Sequence, residues 1–341
     1  MSLIDHLRSR QIPYEALVYV NKAGKPIARL DAALLCAISD GKYMGLMHST
    51  LEEVLYEALE GSVEVRFGRW IKRIEPGPDA VIATFNDGTT ESFDLLIGAD
   101  GVHSATRALV FGPEEQFSRY LGYTIACYPL ADRYGIGRTY KLYNEPGRQI
   151  LAYGTDAEGE LLILFLYQSA KPEHLPREQR LAHLREVFAG MGWLTQRFLS
   201  DVSPETSVFM DAVIQIQMPT WHQGRVALLG DACDCLTLIS GQGASLAMGG
   251  AYLLARALHE TADCQQAFHC YEQRMFAPVQ MLQKSARGSA RSLVPASSLG
   301  LFVQQLLMRV LVRPMFRRLL RRPFGAQSLS LAYPPAEGGR P

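Results

Sequence analysis

Apolar positions along this chain change period several times, and each change marks an element boundary. Val81, Ala83 and Phe85 alternate with polar neighbours, as do Val63, Val65 and Phe67, and alternation of that kind belongs to strands with one buried face. Asn86, Asp87 and Gly88 supply a hairpin turn after Phe85. Short apolar runs at residues 16–20, 26–30 and 43–47 predict further strands. Leu51, Val54, Leu55 and Leu59 fall on one face of a helix, for which Thr50 and Glu53 form a capping-box pattern. Residues 2–10 read as a helix. From residue 120 to about 217 the chain is strand-like and rich in Tyr, Phe and Leu, broken by a helical stretch over residues 177–188. Helices are predicted again at 244–259, 271–286 and 301–320, the last interrupted by Pro314.

Two segments break the alternation. Residues 95–97 and 226–229 are continuously apolar, the mark of a parallel strand buried on both faces. Each ends in a Gly/Asp turn that opens a helix. The first is Gly98-Ala99-Asp100-Gly101, with Ser104 and Arg107 following. The second is Gly230-Asp231-Ala232, leading into Ser240-Gly241-Gln242-Gly243-Ala244-Ser245. Glycine lets a backbone approach a ligand closely, and a helix start offers free N–H groups and positive potential. Two such turns far apart in sequence suggest one large, partly anionic cofactor.

The first turn resembles the DG motif of flavin monooxygenases of the p-hydroxybenzoate hydroxylase type, and Gly230-Asp231-Ala232 resembles their GD motif. Order and separation agree, and the similarity runs from the first residues to about Leu258. It implies a mixed α/β (α+β) fold: a Rossmann-like FAD-binding domain, an antiparallel-sheet substrate domain and C-terminal helices. The expected boundaries are 1–115 and 223–262 for the two parts of the FAD domain and 116–222 for the substrate domain. A helical region over 263–330 and a flexible tail over 331–341 complete the division.

The resemblance also implies chemistry. FAD would be reduced by NAD(P)H, and the flavin hydroperoxide formed with O₂ would hydroxylate a hydrophobic or aromatic small molecule. Asp231 matches the acid that bonds a ribityl hydroxyl of FAD, and a helix N-cap is its structural alternative. Asp100, Gly101 and Arg107 belong to the motif that serves FAD and the nicotinamide pyrophosphate. Arg107 either meets phosphate or ties Asp100 in place. Gly230 and the N–H groups of Gly241, Gln242, Gly243 and Ala244 would approach the flavin. No catalytic base and no metal ligand stands out. Tyr123, Tyr128, Tyr153, Phe165, Tyr167, Phe209 and Met210 are candidate pocket residues, each more readily explained as core.

Several positions depart from the family pattern. The glycine-rich G-x-G-x-x-G turn of the first βαβ unit is absent near residue 1, which leaves the expected FAD domain incomplete and strand 95–97 with an open edge. Asp234 and Leu238 stand where the family usually has His and Pro, so the loop is expected to gain a negative charge. His48 stands where an Arg commonly helps hold FAD. Two other readings therefore accompany the monooxygenase: a truncated, non-catalytic remnant that binds a ligand or partner, and a flavin-dependent reductase of related fold.

Composition narrows the partners. The 341 residues carry 34 basic and 34 acidic side chains, and a net charge of zero argues against nucleic acid as a partner. No uncharged stretch reaches the roughly twenty residues that cross a bilayer, and no signal peptide precedes Asp5, which points to the cytoplasm. Six cysteines at scattered spacing read as reduced thiols; a redox role for Cys233 and Cys235 is the weaker alternative. Arg309, Arg313, Arg317 and Arg318 make the last helix basic and amphipathic. Such a helix can lie on a membrane surface, although packing on the body or on a second subunit of a homodimer is the blander expectation.

Overall fold

The computed structural model describes residues 3–38, 44–237 and 241–311. The chain divides into two compact units. The first comprises Met1–Glu64, Gly122–Ala212 and Ser292–Pro341, and the second comprises Val65–Leu121 and Val213–Arg291.

In the first unit, α1 (Leu3–Ser9) precedes the hairpin β1 (Ala16–Val20) and β2 (Pro26–Asp31), followed by α2 (Ala32–Ile38) and α3 (His48–Glu57). The second unit takes up the chain with β3 (Ile71–Pro76), β4 (Val81–Phe85), β5 (Thr90–Phe93), β6 (Leu96–Gly98) and α4 (Ala105–Val110). Strand β7 (Ser118–Ala131) begins in that unit and runs into the first, where β8 (Thr139–Glu145), β9 (Arg148–Gly154), β10 (Glu160–Gln168), α5 (Arg177–Val187) and α6 (Thr195–Asp201) follow. Strand β11 (Phe209–Ile216) returns the chain to the second unit. There it continues through β12 (His222–Gln223), β13 (Val226–Leu228), α7 (Asp231–Asp234), α8 (Gly243–Glu260) and α9 (Cys264–Leu293), before α10 (Ser298–Leu311).

The first unit is built on a seven-stranded sheet in the order β11-β7-β10-β9-β8-β1-β2. Pairings β7/β10, β10/β9, β9/β8 and β1/β2 are antiparallel, and β1 joins β8 in parallel. The antiparallel sheet expected from the aromatic-rich stretch is therefore present, and the hairpin of residues 16–31 belongs to it. Parallel pairing with β8 satisfies the backbone of β1 while Val18 and Val20 enter the core. Ile150, Leu161, Ile163 and Phe165 pack there against Leu184, Phe188 and Phe198. Tyr123, Tyr128, Phe165, Tyr167 and Met210 are buried, with the Tyr128 hydroxyl donating to the Phe198 carbonyl, whereas Phe209 is exposed. Met308 of α10 packs on a second cluster with Leu30 and Leu142, and Asn144 Nδ2 donates to Gln304 Oε1 at 3.1 Å. The expected continuation at Arg313, Pro314, Arg317 and Arg318 and the 331–341 tail lie outside the described residues.

Three local expectations are corrected. Residues 63–67 form no strand, and Val63, Val65 and Phe67 are 55%, 42% and 79% exposed. Alternation becomes a strand only where a neighbour supplies the ladder, and no described strand lies beside this run. Residues 44–47 also carry no strand. Helix α3 starts at His48 with Met47 as N-cap and no side-chain cap, so the Thr50/Glu53 box does not form. With the helix beginning three residues earlier than that box requires, Thr50 is buried and its hydroxyl donates to Asp156 Oδ2 at 2.5 Å.

The second unit holds two small sheets. Strands β3, β4 and β5 form an antiparallel meander, with the hairpin at Asn86-Asp87-Gly88 closed by Phe85 N–H donating to the Thr89 carbonyl. The other sheet runs β12-β13-β6, with β6 and β13 parallel and in register from Leu96/Val226 to Gly98/Leu228. These two strands are the apolar runs that end in the Gly/Asp turns, so the fold sets the turns side by side.

Candidate flavin-binding site

The first turn is shaped by close packing. A Cβ on Gly98 would stand 2.6 Å from Thr106 Cγ2 and 2.7 Å from Leu228 Cδ2, so only glycine lets α4 and β13 approach β6 this closely. Beyond it, Asp100 turns back on its own loop. Its Oδ1 accepts from Ser104 Oγ at 2.5 Å and its Oδ2 from the Thr106 N–H at 2.8 Å. Partial burial opposes the charge on Asp100, but these hydrogen bonds outweigh it and hold the carboxyl below its ordinary range. Ser104 is the N-cap of α4, accepting from the Arg107 N–H at 2.9 Å. Gly101 adopts φ +80 with open space where a side chain would be, leaving its backbone approachable.

Arg107 is wholly buried. Nη1 donates to the Ala232 carbonyl at 2.9 Å, and Nη2 donates to the Val102 carbonyl and to Glu114 Oε2, both at 2.8 Å. Burial lowers its pKa against the opposing pull of Glu114 and Asp100. Both terminal nitrogens are thus engaged by protein acceptors and join the two Gly/Asp turns to each other. Neither of them bonds Asp100.

In the second turn, Gly230 adopts φ +62, and a Cβ there would stand 3.0 Å from the Cβ of Ala247. Gly250 similarly faces Leu229 at 3.2 Å, so the small residues of α8 serve close approach to the second motif. Asp231 opens α7, and its Oδ1 lies 3.7 Å from where a Cβ on Gly243 would be. Asp231 and the start of α8 therefore meet. Helix α8 is 18 residues long, and its N-cap Gln242 makes no side-chain cap. Gly241, Ala244 and Ser245 are exposed or half-buried, and Gly241 has φ +63 with no atom within 4 Å of a built Cβ. The first turn of a long helix, with the positive end of its dipole, lies at this exposed stretch.

Asp234 contradicts the expectation of a loop charge. It is 2% exposed, its Oδ2 has no hydrogen-bond partner, and burial together with the adjacent Asp231 pushes its carboxyl well above the usual range. Cys233 and Cys235 are buried free thiols whose pKa values are raised, mainly by burial, which makes them poor nucleophiles. Leu238 lies outside the described residues. His48 is exposed at the start of α3 in the first unit, and the other nine proposed cofactor residues belong to the second.

Two contributors carried no sequence signal. Glu114 pairs with Arg107 and also meets His103 Nδ1 at 3.1 Å. Gln283, buried in α9, donates from Nε2 to the Ile216 and Cys235 carbonyls and so braces the second motif. A polar residue on an amphipathic helix does not announce a buried partner.

With this geometry in hand, comparison with known proteins decides the family. The FAD binding domain family matches residues 3–274. This chain belongs to it. The relationship is to FAD-dependent monooxygenases of the p-hydroxybenzoate hydroxylase-like family. A flavin-dependent monooxygenase from an unknown prokaryotic organism is 32% identical over 243 residues, covering 70% of this chain and 62% of that protein. The 6-hydroxynicotinate 3-monooxygenase of Pseudomonas fluorescens is 28% identical over 249 residues, covering 67% and 61%. Among solved structures, a single-substitution variant of Klebsiella pneumoniae HpxO complexed with FAD superposes with a TM-score of 0.75 at 25% identity, covering 94% of this chain and 86% of that one. The chain thus spans about three fifths of the length of these two curated relatives.

Proposed function

We propose that this chain is an FAD-dependent monooxygenase that uses NAD(P)H as reductant and acts on a hydrophobic or aromatic small molecule. The observation that carries the reading is the meeting of Asp231 with the start of the long helix α8, beside a first turn that Arg107 ties to the second. The residues present suit FAD. Asp231 offers carboxylate oxygens to sugar-chain hydroxyls, and the N–H groups at Gly241 to Ala244 suit an electron-rich ring edge. Gly101 and Gly241 leave their backbones open to close contact. When bound, the flavin supplies the redox chemistry, accepting a hydride and passing one oxygen atom of O₂ to the substrate. The protein's own part is to hold the ring, orient the substrate and keep water out.

Asp100 and Arg107 act in this reading as positioning residues. Both carboxylate oxygens of Asp100 and both terminal nitrogens of Arg107 are committed to Ser104, Thr106, Val102, Glu114 and Ala232, while Arg107 Nε is buried without a partner. They shape the turns while the backbone at Gly101 meets the cofactor. Free thiols among the cysteines support a reducing compartment such as the cytosol.

Titration of the purified chain with FAD, followed by quenching of flavin fluorescence, tests the cofactor. NAD(P)H oxidation with a panel of aromatic acids then tests the reaction. We expect saturable FAD binding and aromatic-dependent NAD(P)H consumption with a hydroxylated product. A folded chain that takes up no FAD would favour the non-catalytic ligand-binding reading, and FAD binding with substrate reduction in place of hydroxylation would favour the reductase.

A further inference from the structure

The second unit contains a cavity of about 520 Å³ that none of the proposed flavin-binding residues lines. Its apolar wall is formed by Met218, Trp221, Phe276 and Val279, of which Met218, Trp221 and Val279 are buried and already held by the fold. Its polar end is cationic. Lys284 and Arg287 both line it and stand one turn apart on α9.

These cations lack counter-charges. Arg287 Nη1 donates to the neutral Gln215 Oε1 at 3.1 Å, and burial together with the cation Arg119 lowers its pKa. Among the described residues, Lys284, Arg287 and Arg119 form no ion pair. Elsewhere in this unit arginines find acids: Arg66 and Arg69 share Glu91, Arg107 holds Glu114 and Arg256 holds Glu260. Lys284 is exposed and Arg287 half-buried, so a carboxylate seated between them beside the apolar wall gains charge-assisted hydrogen bonds. The volume falls in the range of small-molecule sites, about 300–1,000 Å³, which combine mostly apolar walls with a few placed polar groups.

We propose that this cavity binds a small amphipathic carboxylate, its apolar body against Trp221, Met218 and Phe276 and its carboxylate between Lys284 and Arg287. An apolar molecule without charge leaves the cations unpaired. Inorganic phosphate meets them but leaves the aromatic wall unused. Cys233, in the same short helix as Asp231, also lines the cavity, so an occupant touches the element that carries the second motif.

The test uses the full chain and 4-(1-pyrenyl)butyrate, with the uncharged 4-(1-pyrenyl)butanol and inorganic phosphate as controls. Binding is read from energy transfer between tryptophan and pyrene. The expected result is saturable binding of the carboxylate at least about tenfold tighter than the alcohol, weakening with salt, and unchanged by added FAD. The double variant Lys284→Gln/Arg287→Gln should lose about tenfold in carboxylate affinity and keep its affinity for the alcohol. Lys284→Gln alone changes an exposed residue, keeps the fold and should lose a measurable part of the same effect. Equal binding of acid and alcohol, unchanged affinity in folded variants, or displacement of the probe by FAD would overturn the proposal. The last outcome would place the probe in the flavin site and leave the FAD reading intact.

Discussion

Arg107 donates from Nη1 to the carbonyl oxygen of Ala232 across 2.9 Å, joining residues 125 positions apart in the chain. Because the guanidinium is wholly buried, this contact is made out of reach of competing water, and it locks the two motif turns together.

Replacing Arg107 by Met should remove that lock. The Ala232 and Val102 carbonyls and Glu114 would lose their donor, each at about 1–3 kcal/mol where water cannot substitute. We expect a total loss of about 3 kcal/mol or more, measured by urea denaturation. A loss under about 1 kcal/mol would contradict the role as a clamp.

Two glycines of the first motif should respond differently to alanine. At Gly98 the new methyl meets Thr106 and Leu228 below 3 Å, which should cost about 1–3 kcal/mol by overpacking. At Gly101 there is no clash, and only the left-handed backbone is penalised, by about 1 kcal/mol. Paired melting curves of the two variants check the order, and equal shifts would show that the Gly98 contact relaxes freely.

Asp231→Ala should weaken FAD by about 1–3 kcal/mol, the scale of a hydrogen bond to a charged group. Equilibrium titration with FAD reads the change directly. A variant with lowered melting temperature but unaltered FAD affinity would reduce Asp231 to a structural residue of the α7 turn.

Asp234 and Asp100 should give opposite pH profiles. Burial first, and Asp231 second, raise the folded pKa of Asp234. Its contribution to stability is therefore fully present below the unfolded value of about 3.9 and is lost as pH rises through the folded one. Asp234→Asn should be more stable than wild type at pH 7 by on the order of 1 kcal/mol, with the advantage gone near pH 4. Asp100 has a lowered folded pKa, so its contribution is present above about 3.9 and is lost as pH falls through the folded value. Asp100→Asn should cost about 0.5–1.5 kcal/mol at pH 7 and converge on wild type in acid. Melting temperature against pH for both variants distinguishes them, and parallel profiles would refute the assignment.

The sequence by itself determined the elements whose cause is local. Continuous apolar runs located β6 and β13, alternation and an Asn-Asp-Gly turn located the β4–β5 hairpin, and helical spacing located α5 and α8. The glycines and acids of the two turns were legible because close approach and positive φ restrict the choice of residue. Tertiary structure decided what depends on neighbours. Val63 to Phe67 has the pattern of a strand but no described strand beside it, and ladder bonds cannot form alone. The hairpin of residues 16–31 entered the seven-stranded sheet because β8 offered a parallel edge, which no local pattern encodes. Thr50 looked like a cap and became a buried donor to Asp156, 106 residues away. Arg107 could have met phosphate or Asp100 as far as its sequence position went. Packing carried its guanidinium into the interior, where the Ala232 carbonyl needed a donor, and burial pushed Asp234 away from the charge its side chain would carry in water.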